Sequence, residues 1–137
     1  MLAGQSAEAL FASIGHHKLL SIGLNCATGP AEMSEHLRTL SKTARIGVSA
    51  MPNAGLPVLT ADGAHYPLGP DELAAAHEAF TREFGLSLVG GCCGTTPAHL
   101  AAIVDRVGGH DIAQRSPRPE ASASSLYQSV PFRQDTT

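Results

Sequence analysis

A chain of 137 residues holds one domain at most; 43 % of it is hydrophobic, so it can bury a core, but only 4 % is aromatic and it has no tryptophan. The net charge of −3, with lysine and arginine scattered, removes the electrostatic case for nucleic acid or an anionic membrane. No run reaches the roughly 18 apolar residues of a membrane span, no secretory signal opens the chain, and three cysteines, two of them adjacent, do not make a disulfide framework, so reducing cytoplasm is the expected compartment.

Ser6 to about His16 reads as a helix: Ser6 can cap it, Glu8 suits its first turn, and Leu10, Phe11 and Ile14 form an apolar stripe. Leu19 to Leu24 reads as a buried strand. Pro30 to about Lys42 reads as a helix, with Pro30 near its first position and Met33, Leu37 and Leu40 on one face. Arg45 to Ser49 reads as a second short strand, and Met51 to Pro57 is too rich in proline and glycine for regular structure. Pro70 to Phe84 is the clearest helix, with Leu73, Ala76, His77 and Phe80 on one side. Leu86 to Val89 is a third strand; Thr96 caps a last helix, Pro97 to Val107, which Gly108 and Gly109 close.

Apolar strands alternating with helices predict an α/β fold with a parallel sheet covered by helices. From His110 onward proline, serine, alanine, arginine and glutamine dominate. Residues 1–109 are therefore the expected folded part, and 110–137 the expected linker or tail, extended and disordered.

Each cysteine sits where a strand gives way to a glycine-rich turn: Cys26 in Gly-Leu-Asn-Cys-Ala-Thr-Gly-Pro, and Cys92 and Cys93 in Gly-Gly-Cys-Cys-Gly-Thr-Thr-Pro. Parallel neighbouring strands would deliver all three sulfurs to one edge of the sheet. Three converging thiolates make a zinc site with a fourth position open, the pattern of catalytic centres. The plain alternative is three small buried hydrophobes; a redox dithiol is weaker because the Cys-x-x-Cys spacing is absent.

Asn53, just past the middle strand, is either a turn residue serving local backbone or a polar group facing that site, as a weak, displaceable ligand. The seven histidines are poorly placed as ligands. His36, His77 and His99 lie within helices, His16 and His17 near a helix end, His65 in a loop and His110 in the tail. Gly90, Gly91 and Gly94 fit neither a P-loop nor a dinucleotide fingerprint.

Three segments resemble signatures of the zinc-dependent homocysteine S-methyltransferases, in the same order and spacing. They are Gly23-Leu24-Asn25-Cys26, Pro52-Asn53-Ala54-Gly55-Leu56-Pro57, and Gly90-Gly91-Cys92-Cys93-Gly94-Thr95-Thr96-Pro97. Ser125-Leu126-Tyr127 and the run from Val130 to Thr136 look like the linker that joins the homocysteine and folate domains in the cobalamin-dependent branch.

The resemblance implies an eight-stranded (β/α) barrel with zinc at its C-terminal face. Cys26, Cys92 and Cys93 would be the zinc ligands, and Asn53 a substrate-side or displaceable ligand near the metal. The implied reaction is methyl transfer to the thiol of homocysteine, giving methionine, with cobalamin carried outside this segment. Leu2-Ala3-Gly4-Gln5 resembles the loop after the fifth strand, so the chain corresponds to the last three strand-helix units of the barrel.

Such a piece is expected to have open sheet edges and inward-facing apolar side chains without partners. On its own it is expected to be incomplete as an enzyme. The alternatives are a non-catalytic zinc-binding or interaction module, or a split half completed by a polypeptide carrying the first five strands.

Overall fold

A computed structural model describes residues 4–109 and 111–133. Leu2 and Ala3 of the proposed loop, His110, and Gln134 to Thr136 of the linker-like run lie outside the described residues.

The chain begins with helix α1 (Ala7–Ile14), strand β1 (Ser21–Asn25), helix α2 (Pro30–Thr43) and strand β2 (Gly47–Met51). A two-stranded hairpin follows, β3 (Val58–Thr60) and β4 (Gly63–His65), then helix α3 (Pro70–Phe84), strand β5 (Leu88–Val89) and helix α4 (Pro97–Val107). A second hairpin, β6 (Ser122–Ser124) with β7 (Ser129–Pro131), ends the described chain.

The helix ends follow from local chemistry. Ser6 Oγ accepts from the Ala9 N–H at 3.1 Å and caps α1. Pro30, Pro70 and Pro97 each occupy a first helical position, where a missing N–H costs nothing. Glu72 reaches back to the Gly69 N–H at 2.8 Å. At α4 the same place is taken by His99, whose Nδ1 accepts from the Thr96 N–H at 3.2 Å.

β1, β2 and β5 form a parallel sheet in the order β1-β2-β5, with Ile22 opposite Val48 and Ser49 opposite Leu88. One face carries Ile22, Val48 and Ala50 and packs on Met33, Leu37 and Leu40 of α2 and Phe80 and Phe84 of α3, the main core. A smaller core of Leu73, Ala74 and Ile103 joins α3 to α4. Glu78 bridges the same helices through Arg106, at 2.6 Å.

By strand alternation the other face carries Ser21, Gly23, Gly47, Ser49 and Leu88. That face, expected to be apolar, is instead mostly small and polar. Gly23 is required there, because a Cβ would collide with the Ser49 side chain and backbone. The architecture is α/β with parallel strands alternating with helices; among the described residues the sheet does not close into a barrel.

Two regions differ from the sequence expectation. The β3–β4 hairpin interrupts what reads as a plain loop. The tail has no regular structure over residues 111–121, but it then forms the β6–β7 hairpin and lies against the helices. The Arg115 guanidinium donates to the carbonyls of Ala44 at 2.9 Å and Ile46 at 2.6 Å, beyond the end of α2. Ser124 Oγ donates to Ala9 O of α1 at 2.8 Å. Proline denies this segment regular structure, but the backbone carbonyls beyond α2 give its arginine a place to bind.

His77 is fully buried in α3, and neither ring nitrogen makes a hydrogen bond of good geometry. Burial holds its pKa below the ordinary histidine value, with the backbone of Gly90 opposing in part. The unfolded chain takes up this proton near pH 6.5 and the folded chain only at lower pH. The unfolded state therefore binds more protons in that window, and acid favours it. The unfolding free energy from urea titrations is expected to fall as pH drops from about 6.5, by up to about 1.4 kcal/mol per pH unit. His77→Leu should remove that part of the slope. Equal slopes in the two proteins would mean that His77 is not the acid-sensitive group.

Candidate metal centre

The site is built where β1, β2 and β5 end. All three strands run the same way, so the residues after them meet at one edge. The ladder continues irregularly past the strands: Cys26 N–H donates to Met51 O at 2.9 Å, Cys92 N–H to Pro52 O at 2.8 Å, and Ala54 N–H to Cys93 O at 2.9 Å. Three loops are thus tied to one another through backbone.

Cys26 and Ala27 both have left-handed backbone, with φ of 60° and 62°. This conformation costs a non-glycine residue about 1–3 kcal/mol and collects at functional sites. Here it starts the turn that presents Cys26. Its Sγ lies 3.6 Å from that of Cys93, which is 3.9 Å from that of Cys92. All three sulfurs fall within 4.8 Å of one another, and no disulfide joins them.

Zinc–sulfur bonds of about 2.3 Å in a tetrahedron put the sulfurs roughly 3.8 Å apart. The donor set and its spacing therefore fit a zinc ion with one position left for a further ligand. Cys26, Cys92 and Cys93 are all partly exposed, so a small thiol can reach them.

The electrostatics favour charge on Cys26. Its pKa is lowered, first by the Ala27 backbone N–H, then by the Cys92 and Cys93 thiols, with the Asn53 side chain adding a smaller contribution. Cys92 is pushed up, first by its hydrogen bond with Cys26 and then by burial.

Asn53 is buried, and its Oδ1 accepts from the Cys93 N–H at 3.1 Å. It bonds across two loops, not within its own turn, and it also lies beside Cys26. Among the described residues no histidine joins the cluster. His99, buried in the first turn of α4, clips Thr96 to the carbonyl of Leu68.

Two neighbours of the cluster are not picked out by the sequence reading. Asn25 Nδ2 donates to Cys92 Sγ at 3.6 Å. Its place one residue before Cys26 is the only signal for it. Tyr66 lies beside Cys93, and its hydroxyl pKa is raised, first by that contact and then by burial. Nothing in its local sequence marks it.

Among the described residues no helix is long and apolar enough to cross a membrane. Residues 1–107 match the protein family described as homocysteine S-methyltransferase. The whole chain is 58 % identical over 137 residues to a methionine synthase of Mycobacterium tuberculosis. It is 59 % identical over 139 aligned positions, covering 98 % of the chain, to a methionine synthase of Mycobacterium leprae. The chain spans 12 % of the length of each of these relatives.

Proposed function

This chain belongs to the homocysteine S-methyltransferase family, and we propose that its three-cysteine cluster is a zinc site that prepares the thiol of homocysteine for methylation to methionine. The observation that carries this reading is the gathering of all three sulfurs of the chain within 4.8 Å. Bound zinc would supply a Lewis acid with one free position, at which a substrate thiol is held as thiolate at neutral pH.

The rest is the work of this chain's own side chains. Cys26, Cys92 and Cys93 hold the ion. Asn53 orders Cys93 through its backbone N–H, and its carbonyl oxygen has a second lone pair. That lone pair suits Asn53 to the amino-acid end of homocysteine or to weak, displaceable ligation. In the reaction the homocysteine proton passes to solvent, a sulfur–methyl bond forms, and the donor's bond to that methyl breaks. No side-chain base is needed. The tail's likeness to the linker of cobalamin-dependent members makes a cobalamin, bound outside this chain, the methyl carrier we favour.

We assign residues 1–109 to a barrel segment of the homocysteine domain and 110–137 to the connection beyond it. Unpaired thiols this close suit the reducing cytoplasm. Among the described residues the outer edges of β1 and β5 are unpaired, which favours a second element of the reading. The five further strands of a (β/α)8 barrel come from polypeptide outside these residues, and until they are present the segment holds zinc without turning over homocysteine.

Zinc content and zinc-edge X-ray absorption of the purified protein, with and without homocysteine, test the proposal. One zinc per chain in a sulfur shell that gains a further sulfur on adding homocysteine is the expected result. One zinc indifferent to homocysteine would leave only the metal-holding role. No zinc would end both readings.

A further inference from the structure

The excursion between β2 and α3 supplies a wall to the cysteine centre that none of the cysteine motifs contains. After the β3–β4 hairpin the chain returns across the site through Tyr66, Pro67 and Leu68. Leu68 N–H donates to Ala54 O at 2.9 Å, and Ala54 N–H in turn donates to Cys93 O. The Leu68 carbonyl lies 2.9 Å from His99 Nε2. Since His99 Nδ1 accepts from the Thr96 N–H, the bonding network assigns the proton to Nε2, which donates to Leu68.

Tyr66 is fixed from below as well. Its ring lies on Gly94, the residue after Cys93, where a Cβ would collide with the Tyr66 Cβ and ring. Gly94 also has a φ of +79°, a conformation that suits glycine. Pro67 covers Gly55 in the same way, 3.0 Å from a Cβ placed there. Tyr66 is thus clamped between the loop of Asn53 and the loop of Cys93.

We propose that Tyr66 is a positioning residue of the metal centre, its phenol hydroxyl donating to the Cys93 sulfur to orient that ligand and draw off part of its charge. The proposal rests on the zinc-binding reading above. Three thiolates around one divalent ion carry more negative charge than the ion neutralises, and donors aimed at the sulfurs spread it. Two of the three already have one. Cys26 has the Ala27 backbone N–H beside it, the strongest influence on its thiol, and Cys92 receives Asn25 Nδ2. Tyr66 is placed to give Cys93 its own: its ring lies on Gly94, the next residue, and Cys93 is the group that acts most strongly on its phenol.

Tyr66→Phe keeps the ring on Gly94 and removes only the hydroxyl. Zinc affinity of the 137-residue protein is measured by competition with a chelator, and the cobalt-substituted protein gives the sulfur-to-metal charge-transfer band. The expected result is about a 10- to 100-fold loss of zinc affinity with a shifted cobalt band and an unchanged urea midpoint without metal. Tyr66→Ala should lose metal affinity and also lower that midpoint, by uncovering Gly94.

Tyr66→Phe with wild-type zinc affinity and an unshifted cobalt band would overturn the proposal and leave Tyr66 a packing residue. A wild-type protein that binds no zinc overturns the metal reading itself, and Tyr66's role with it. Should Tyr66→Phe not fold, 3-fluorotyrosine keeps ring and hydroxyl while strengthening the donor. The band must then move, and a stationary band counts against the proposal. The only other tyrosine is Tyr127, in the tail.

Discussion

Replacing Cys92 by serine is expected to strip the protein of zinc. Serine matches cysteine in shape, but its hydroxyl stays protonated at neutral pH and cannot serve as a thiolate donor. The two remaining sulfurs, Cys26 and Cys93, are 3.6 Å apart and leave half of a tetrahedral shell open. The loss should exceed the roughly 10- to 100-fold that follows from removing a supporting residue. Metal analysis after dialysis against a chelator should give about one zinc per wild-type chain and close to none for Cys92→Ser.

Thiol counting provides an independent reading. In wild type, zinc should protect all three cysteines from an alkylating reagent, and a chelator should release them together. In Cys92→Ser the two that remain should react at once. Equal zinc retention in the two proteins would remove Cys92 from the ligand set. Alkylation indifferent to zinc would favour inert thiols instead.

The parts of this molecule that were legible in its sequence are those whose cause is local. α3 runs from Pro70 to Phe84, and Pro97 and Gly108 bound α4, where the sequence places them. The three parallel strands were legible as apolar runs, although β1 and β2 each start and end further along than those runs suggest. The cysteines stood out because strand-turn-helix units set their direction without any long-range information.

The β3–β4 hairpin was hidden for the opposite reason. Every residue of both strands is exposed, so no alternation with a core exists to be read. The Asp62-Gly63 pair, where the hairpin's Ala61-Asp62 turn enters β4, was the one available sign. Tyr66 was lost with the hairpin, since its role depends on Gly94 and Cys93, far along the chain. The same holds for the tail. Arg115 reads as one charge in a proline-rich run until the carbonyls of Ala44 and Ile46 are seen beside it.

Metal and fold should prove to be one equilibrium, and Leu37→Ala is the substitution that shows it. Leu37 is fully buried in α2 against the sheet that carries the cysteines. Removing a side chain of this kind costs about 2–5 kcal/mol. Domains hold only about 5–15 kcal/mol in total, and a sheet that among the described residues has three strands and two open edges sits low in that range. Without metal, Leu37→Ala is expected to lose most of its cooperative urea transition, whereas Leu37→Met should stay within about 1.5 kcal/mol of wild type.

Zinc is expected to bind only when β1 and β5 are held in place, because Cys26 follows one outer strand of the sheet and Cys92 and Cys93 follow the other. Free zinc at about 100 times its dissociation constant should therefore restore about 2.7 kcal/mol to Leu37→Ala. The Cys92→Ser protein should gain almost nothing from the same addition. If zinc left the Leu37→Ala transition where it was, the three cysteines would be gathering the ion without the fold, as a flexible chelating segment does, and the strand-end geometry would have no part in holding it.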